Sequence, residues 1–189
     1  MSFPEPLRYI DLFCGLGGFR VALDQVCQKL NLTSQCVFSS DLNEKVQDTY
    51  EANFGERPIG DITQVIADDI PNHDLLFAGF PCQPFSIIGD RKGFDDIRGT
   101  LFFDIARILQ AKQPLAFVLE NVKQLQTHDQ GRTLAVIIET LQNLGYQVNH
   151  RVLNALDFGL PQKRERTFIV GFRQDLQVKH FFCLWEIFP

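Results

Sequence analysis

Several features that assign a protein quickly to a class are missing from this chain of 189 residues. No run approaches the ~20 consecutive apolar residues of a membrane-spanning helix, which predicts no membrane partner. Its five cysteines form no Cys-x-x-Cys pair, which argues against a disulfide framework and structural zinc. The four histidines lack ligand spacing, so no metal site is expected. The net charge of −5 shows no basic excess of the kind that marks nucleic-acid binders.

Two further absences concern location and phosphate binding. Residues 1–5 contain neither the basic region nor the apolar core of a signal peptide, which predicts a cytoplasmic location. The glycines at 15, 17 and 18 do not follow the spacing of dinucleotide binders, and no Walker lysine accompanies them. The 45% hydrophobic and 22% charged content is that of an ordinary globular protein, and the length suits one domain.

Short apolar runs alternate with helix-like segments, which predicts an α/β fold with a mostly parallel sheet and helices on both faces. Gly145 is a candidate αL cap for the last helix. The alternating pattern ends near residue 173. The apolar tail at 174–189 diverges from this pattern and resembles the end of a truncated domain. Strands are predicted at 9–13, 35–39, 75–78, 116–119, 147–153 and 167–172, helices at 19–30, 43–53, 101–110 and 133–144, and a helical turn at 62–66.

Cys82 follows the buried strand at 75–78 and opens a polar loop that runs to residue 99. Open α/β sheets place their chemistry at the carboxyl ends of strands, where this cysteine lies. Most free cysteines are small apolar core residues instead. The local pattern therefore leaves a core residue and a nucleophile as alternatives.

Glu120 and Asn121 end the strand at 116–119. A carboxylate at this edge is partly desolvated, which suits proton donation. An ordinary alternative is a carboxylate that stabilises a helix N-terminus. In a doubly wound sheet, Cys82 and Glu120 would end neighbouring strands, and a thiol beside a general acid is a coherent pair.

The glycine-rich turn at 11–18 lets a ligand approach the backbone, although a tight strand-to-helix turn explains it equally well. Asp41 ends the second strand, where a carboxylate can accept from ribose hydroxyls or cap the helix beginning near Asn43. Asp61 can accept from an adenine amino group or cap the turn at Ile62. Together these features suggest an adenosine-bearing ligand without phosphates.

Lys163, Arg164 and Arg166 form a basic run interrupted by Glu165, and such a run is usually a solvated face. In an extended segment Arg164 and Arg166 would project to one side. Together with Arg98, at the end of the cysteine loop, they could favour a thiolate and bind a phosphate or a base carbonyl.

Seven stretches of the chain, taken in order, resemble those of the DNA cytosine-5 methyltransferases of bacterial restriction–modification systems, close to the HhaI type. The resemblance covers residues 9–173. The matching stretches are DLFCGLGGFR (11–20), GDITQV (60–65), GFPCQPFS (79–86), RGTLFF (98–103), ENV (120–122), LNALD (153–157) and QKRER (162–166).

The resemblance implies a Rossmann-like catalytic domain over residues 1–173, with S-adenosyl-L-methionine as cofactor. Leu42 departs from the tryptophan that such enzymes often carry there, which would weaken stacking on adenine. The implied cofactor-binding residues are Phe13, Gly15, Leu16, Gly18, Asp41, Leu42, Asp61, Ile62, Phe80 and Leu101.

The resemblance also implies a mechanism acting on double-stranded DNA. Cys82 adds to carbon 6 of a flipped-out cytosine, Glu120 protonates nitrogen 3, and carbon 5 takes the methyl group. Arg166 would hold the base carbonyl oxygen, and Arg98 and Arg164 would place the loop and the nearby phosphates. The loop at 83–99 would close over the base. The implied substrate and loop residues are Pro81, Gln83, Ser86, Arg98 and Asn121.

Family members continue into a target-recognition domain, which has no counterpart in this sequence. We therefore expect a fragment, or one subunit of a split enzyme whose second subunit carries the recognition domain. Two alternatives stay open. One is a tRNA cytosine-5 methyltransferase with the same motifs, and the other is a non-catalytic remnant that still binds cofactor.

Overall fold

The computed structural model describes residues 4–81 and 101–178. Within these ranges every predicted strand and helix is present, with ends that differ by at most three residues. The strands are β1 Leu7–Leu12, β2 Ser34–Ser40, β3 Leu75–Gly79, β4 Ala116–Val122, β5 Tyr146–Asn154 and β6 Glu165–Arg173, and the helices are α1 Gly18–Leu30, α2 Glu44–Phe54, α3 Leu101–Lys112 and α4 Arg132–Asn143.

The six strands form one sheet in the order β2-β1-β3-β4-β6-β5. The pairs among β1 to β4 are parallel, whereas β6 runs antiparallel to both β4 and β5. The prediction of a mostly parallel sheet is confirmed. Because β6 is reversed, its first residues lie at the same edge as the carboxyl ends of β3 and β4, with Val122 opposite Arg166.

Alternation along the strands divides the packing between two faces. Leu76 and Ala78 of β3 belong to the large buried cluster that includes α3 and α4. Phe77, between them, stacks on Phe19 of α1 with ring centroids 5.3 Å apart. Helices therefore cover both faces, as the sequence predicts.

Two glycines have conformations that their places in the fold require. Gly145 follows α4 with φ of 90°, and its amide donates to the Gln142 carbonyl at 2.9 Å, which confirms the predicted cap. Gly17 precedes α1 with φ of 84°, and a Cβ there would lie 2.3 Å from Cε2 of Phe54. Gly17 thus lets α1 and α2 meet.

Across residues 4–81 and 101–178, none of the helices has the length and apolar character needed to cross a membrane.

Candidate active site

The ends of β3 and β4 bring two of the predicted site segments together. The strands are parallel neighbours, with Gly79 opposite Glu120. This confirms that the strand leading to Cys82 and the strand carrying Glu120 end side by side. Four predicted site residues lie outside the described ranges, namely Cys82, Gln83, Ser86 and Arg98.

Glu120 forms an ion pair with Arg166 across the β4–β6 pairing. Arg166 Nε lies 2.8 Å from Glu120 Oε1, and each side chain is 24% exposed. Glu120 Oε2 lies 3.7 Å from the position that a Cβ on Gly79 would take, so this carboxylate lies over the end of β3. A carboxyl group and a guanidinium are thus held together where the chain leaves β3 for Cys82.

Arg164 has different surroundings from Arg166. Strand β6 begins at Glu165, so Arg164 precedes it and is exposed. Its amide N–H donates to Asn154 Oδ1 at 3.1 Å, and Asn154 Oδ1 also accepts from the Leu156 amide at 3.3 Å. Asn154 therefore closes the base of the loop at 155–164. The Arg164 carbonyl accepts from the Ala155 amide at 3.1 Å, one residue beyond the β5–β6 pairing. That Arg164 and Arg166 project to one side stays a prediction.

A cavity of about 550 Å³ opens beside the ends of β1, β2 and β3. Its wall includes six of the predicted cofactor residues and Pro81, whereas Gly15, Leu16, Gly18 and Phe80 are not part of it. Sequence reasoning did not single out the other four, which are Ser40, Asn43, Gly60 and Gly79. Each is a direct chain neighbour of a predicted strand or of a predicted cofactor residue. The lining residues are Phe13, Ser40, Asp41, Leu42, Asn43, Gly60, Asp61, Ile62, Gly79, Pro81 and Leu101.

Asp41 connects two loops at the mouth of this cavity. Its Oδ2 accepts from the Gly15 amide at 2.9 Å, and its Oδ1 accepts from the Asn43 amide at 2.9 Å. Asn43 itself caps α2, through a bond from the Lys45 amide. Gly15 thus contributes to the cavity indirectly, by holding Asp41.

Asp61 is placed for both of the roles that the sequence left open. Its Oδ1 accepts from the Thr63 hydroxyl at 2.8 Å and the Thr63 amide at 2.9 Å, which caps the turn at Ile62. These two bonds lower the pKa of Asp61, so its carboxylate is ionised near neutral pH. The same side chain also lines the cavity, so the cap does not remove it from the candidate site.

Asp11 is an acidic group that the sequence reasoning did not single out. It lies within β1, fully buried, and neither carboxyl oxygen has a partner within the described part of the chain. Burial raises the pKa of Asp11 to about 8, with Asp41 adding to the rise and Arg20 opposing it. A signal was available, because Asp11 interrupts the otherwise apolar run at 9–13.

The lining chemistry fits the adenosine part of a sulfonium cofactor. Ile62 and Leu101 provide apolar walls, and Asp41 and Asp61 provide acceptors for hydroxyl and amino groups. No lysine or arginine is among the described lining residues, so no countercharge for phosphates is available there. Leu42 is 73% exposed at the mouth, where a bound ring would cover it. In the described ranges, no cluster of His, Cys, Asp or Glu is placed to hold a metal ion.

The family model for C-5 cytosine-specific DNA methylases matches residues 7–187. The chain belongs to this family. It is 54% identical over 175 residues to Type II methyltransferase M.HhaI of Haemophilus parahaemolyticus, covering 93% of this chain and 52% of that protein. It is 58% identical over 169 residues to M.NgoBI of Neisseria gonorrhoeae, covering 89% and 51%.

A solved structure agrees with the family assignment. The Dnmt2 methyltransferase of S. pombe matches with a TM-score of 0.71 and 26% identity, over 88% of this chain and 51% of that one. The chain thus spans about half the length of the relatives that it matches.

Proposed function

We propose that this chain is the catalytic part of a DNA methyltransferase of a restriction–modification system. It transfers a methyl group from S-adenosyl-L-methionine to carbon 5 of a cytosine flipped out of DNA. The observation that supports this proposal best is the Glu120–Arg166 pair at the end of β3. Residues Gly79 and Pro81 of the same strand end also line the cavity, so acid, nucleophile segment and cofactor space are neighbours.

The residues of the cavity would hold the cofactor by its adenosine part. Asp41 would accept from the ribose hydroxyls and Asp61 from the adenine amino group, with Ile62 and Leu101 against the ring. Gly15 would support this arrangement through its bond to Asp41. When bound, S-adenosyl-L-methionine supplies an electrophilic methyl group.

The chain's own groups would make cytosine carbon 5 reactive. The Cys82 thiolate would form a bond to carbon 6 while the Glu120 carboxyl group passes a proton to nitrogen 3. After methylation, nitrogen 3 returns its proton to Glu120 and carbon 5 gives its proton to a water molecule. The electron pair of the carbon 6–sulfur bond then leaves with Cys82 as thiolate, and the ring regains aromaticity. Arg166 would contact the base carbonyl oxygen and hold Glu120 in place. Flipping the base costs a few kcal/mol of unstacking.

Target recognition would come from outside this chain. The matched relatives are about twice as long, with this chain covering 52% of M.HhaI. Sequence-specific reading of DNA needs side chains at base edges. We infer that a second subunit, or a further segment of the same protein, provides them.

The decisive experiment measures tritiated methyl transfer by the full chain to DNA and to tRNA. Each substrate is tested with and without the part of M.HhaI beyond the matched region, supplied as a separate chain. We expect incorporation into DNA that increases with the added part and is abolished by Cys82→Ser, while S-adenosylhomocysteine still binds. Incorporation into tRNA alone would favour the tRNA enzyme, and cofactor binding without transfer would favour the remnant. Unchanged transfer by Cys82→Ser contradicts the mechanism.

A further inference from the structure

Asn121 is a buried amide with a specific task at the end of β4. It is 2% exposed, and its Nδ2 donates to the Phe80 carbonyl at 3.1 Å. Its Oδ1 accepts from the Val122 amide at 2.8 Å. A buried amide is costly unless it is bonded, so these bonds explain why it is tolerated. They tie β4 to a carbonyl only two residues before Cys82 in the sequence.

Thr167 continues this connection to β6. It lies opposite Asn121 in the antiparallel pairing and is fully buried. Its hydroxyl donates to the Val122 carbonyl at 3.2 Å. Valine would fill the same space in a buried strand without this bond, so the hydroxyl is the distinctive part of the residue.

The two bonding residues and the ion pair lie on opposite faces of the same two strands. Side chains alternate along a strand, and directly opposed residues share a face. Glu120 and Arg166 are therefore on one face, and their chain neighbours Asn121 and Thr167 are on the other. The ends of β4 and β6 are consequently held from both sides.

We propose that Asn121 and Thr167 are positioning residues, which join the ends of β6, β4 and β3 and set where the chain enters Cys82 relative to the Glu120–Arg166 pair. The chemical meaning of this role rests on the proposed function. The geometric role is independent of the proposed function, because it concerns only how the ends of the three strands are held together.

The test follows alkylation of Cys82 by iodoacetamide across pH in the full chain, with peptide mass spectrometry to separate Cys82 from the other cysteines. Thr167→Val removes the hydroxyl and keeps the shape, whereas Thr167→Ser keeps the hydroxyl. Asn121→Asp replaces the donor that faces the Phe80 carbonyl. The matched control is Thr133→Val on α4, which also loses a buried hydroxyl bond, there to His128 Nδ1 at 2.7 Å.

We expect Thr167→Val and Asn121→Asp each to change the Cys82 rate by about threefold or more, because thiol reactivity follows its electrostatic surroundings. Thr167→Ser and Thr133→Val should keep the wild-type rate profile, and all four variants should keep the affinity for S-adenosylhomocysteine. Unchanged rates in both Thr167→Val and Asn121→Asp, or an equal change in Thr133→Val, would overturn the proposal.

A methyl-transfer assay distinguishes failure of this inference from failure of the proposed function. Where transfer is measurable, Thr167→Val and Asn121→Asp should lower kcat and leave KM for the cofactor unchanged. A shifted Cys82 rate in a protein that transfers no methyl group would support the positioning role while the proposed function fails.

Discussion

The proposed cofactor cavity and the Glu120–Arg166 pair are built in different ways. The carboxylates of the cavity are held by nearby amides, as Asp61 is by Thr63 and Asp41 is by Asn43. Glu120 instead depends on Arg166, which reaches it only through the pairing of β4 with β6. The cavity is therefore specified by its own loops, whereas the ion pair is specified by the register of the sheet.

The largest effect on the comparison is expected for Gly17→Ala. This substitution disturbs the packing between α1 and α2, on the cavity side. The new Cβ would meet the Phe54 ring at 2.3 Å, and φ is 84°. Overpacking and the left-handed backbone together should lower the free energy of unfolding by about 3–4 kcal/mol. Urea denaturation measures it. Gly18→Ala is the matched control, since a Cβ there meets nothing within 4 Å, and equal losses in both variants would contradict the packing argument.

Asp41→Asn tests whether the cavity depends on a single carboxylate. The amide would present N–H groups to backbone donors at Gly15 or Asn43, and one acceptor would be lost. Calorimetry with S-adenosylhomocysteine should show affinity reduced by about 30-fold, the usual worth of a hydrogen bond to a charged group. Asp48→Asn, on the exposed side of α2, should bind normally. Equal affinity in wild type and Asp41→Asn would remove Asp41 from the site.

Asp11→Asn tests the buried carboxyl of β1, whose pKa Asp41 helps to raise. Burial raises the pKa of Asp11 from an ordinary 3.8 to about 8. Between these values the folded state holds a proton that the unfolded state has released, so wild-type stability falls as pH rises and levels off above about 8. The side-chain amide of asparagine cannot titrate, so the variant should gain about 2 kcal/mol relative to wild type between pH 5 and pH 6.5, at about 1.4 kcal/mol per pH unit. Urea denaturation at both pH values measures this gain, and parallel stability curves would show that Asp11 does not titrate in this range.

The smallest effect is expected for a double-mutant cycle on the ion pair. Glu120→Gln, Arg166→Met and the double variant should give a coupling free energy of about 1 kcal/mol, because both side chains are mostly buried. The more exposed Lys123–Glu165 pair, at 2.7 Å, is the control and should couple by roughly 0.3 kcal/mol. Urea denaturation measures both cycles. A larger coupling in the more exposed control pair would contradict the argument from burial.

Local patterns in the sequence predicted most of the fold. The apolar runs predict each strand, Gly145 predicts the end of α4, and the doubly wound pattern correctly predicts that β3 and β4 are neighbours. Asp41 and Asp61 could be predicted for the same reason, since each accepts from the backbone amide two residues further along the chain. The second bond of Asp41, from the distant Gly15 amide, could not be predicted in this way.

The features that the sequence could not predict depend on the direction of a strand or on packing between residues distant in the chain. Nothing local to residues 165–173 states that β6 is reversed, so the contact between Arg166 and Glu120 could not be predicted. The need for glycine at position 17 comes from the Phe54 ring on another helix.

The reversal of β6 has a consequence for how this enzyme family can diversify. Because β5 and β6 form a hairpin, both ends of the loop at 155–164 are anchored at one place, where the Ala155 amide donates to the Arg164 carbonyl at 3.1 Å. Asn154 secures the same point. A loop anchored in this way can be lengthened or exchanged at low entropic cost without moving the strand that carries Arg166. The hairpin is therefore a natural place to graft new substrate contacts beside an unchanged reaction centre.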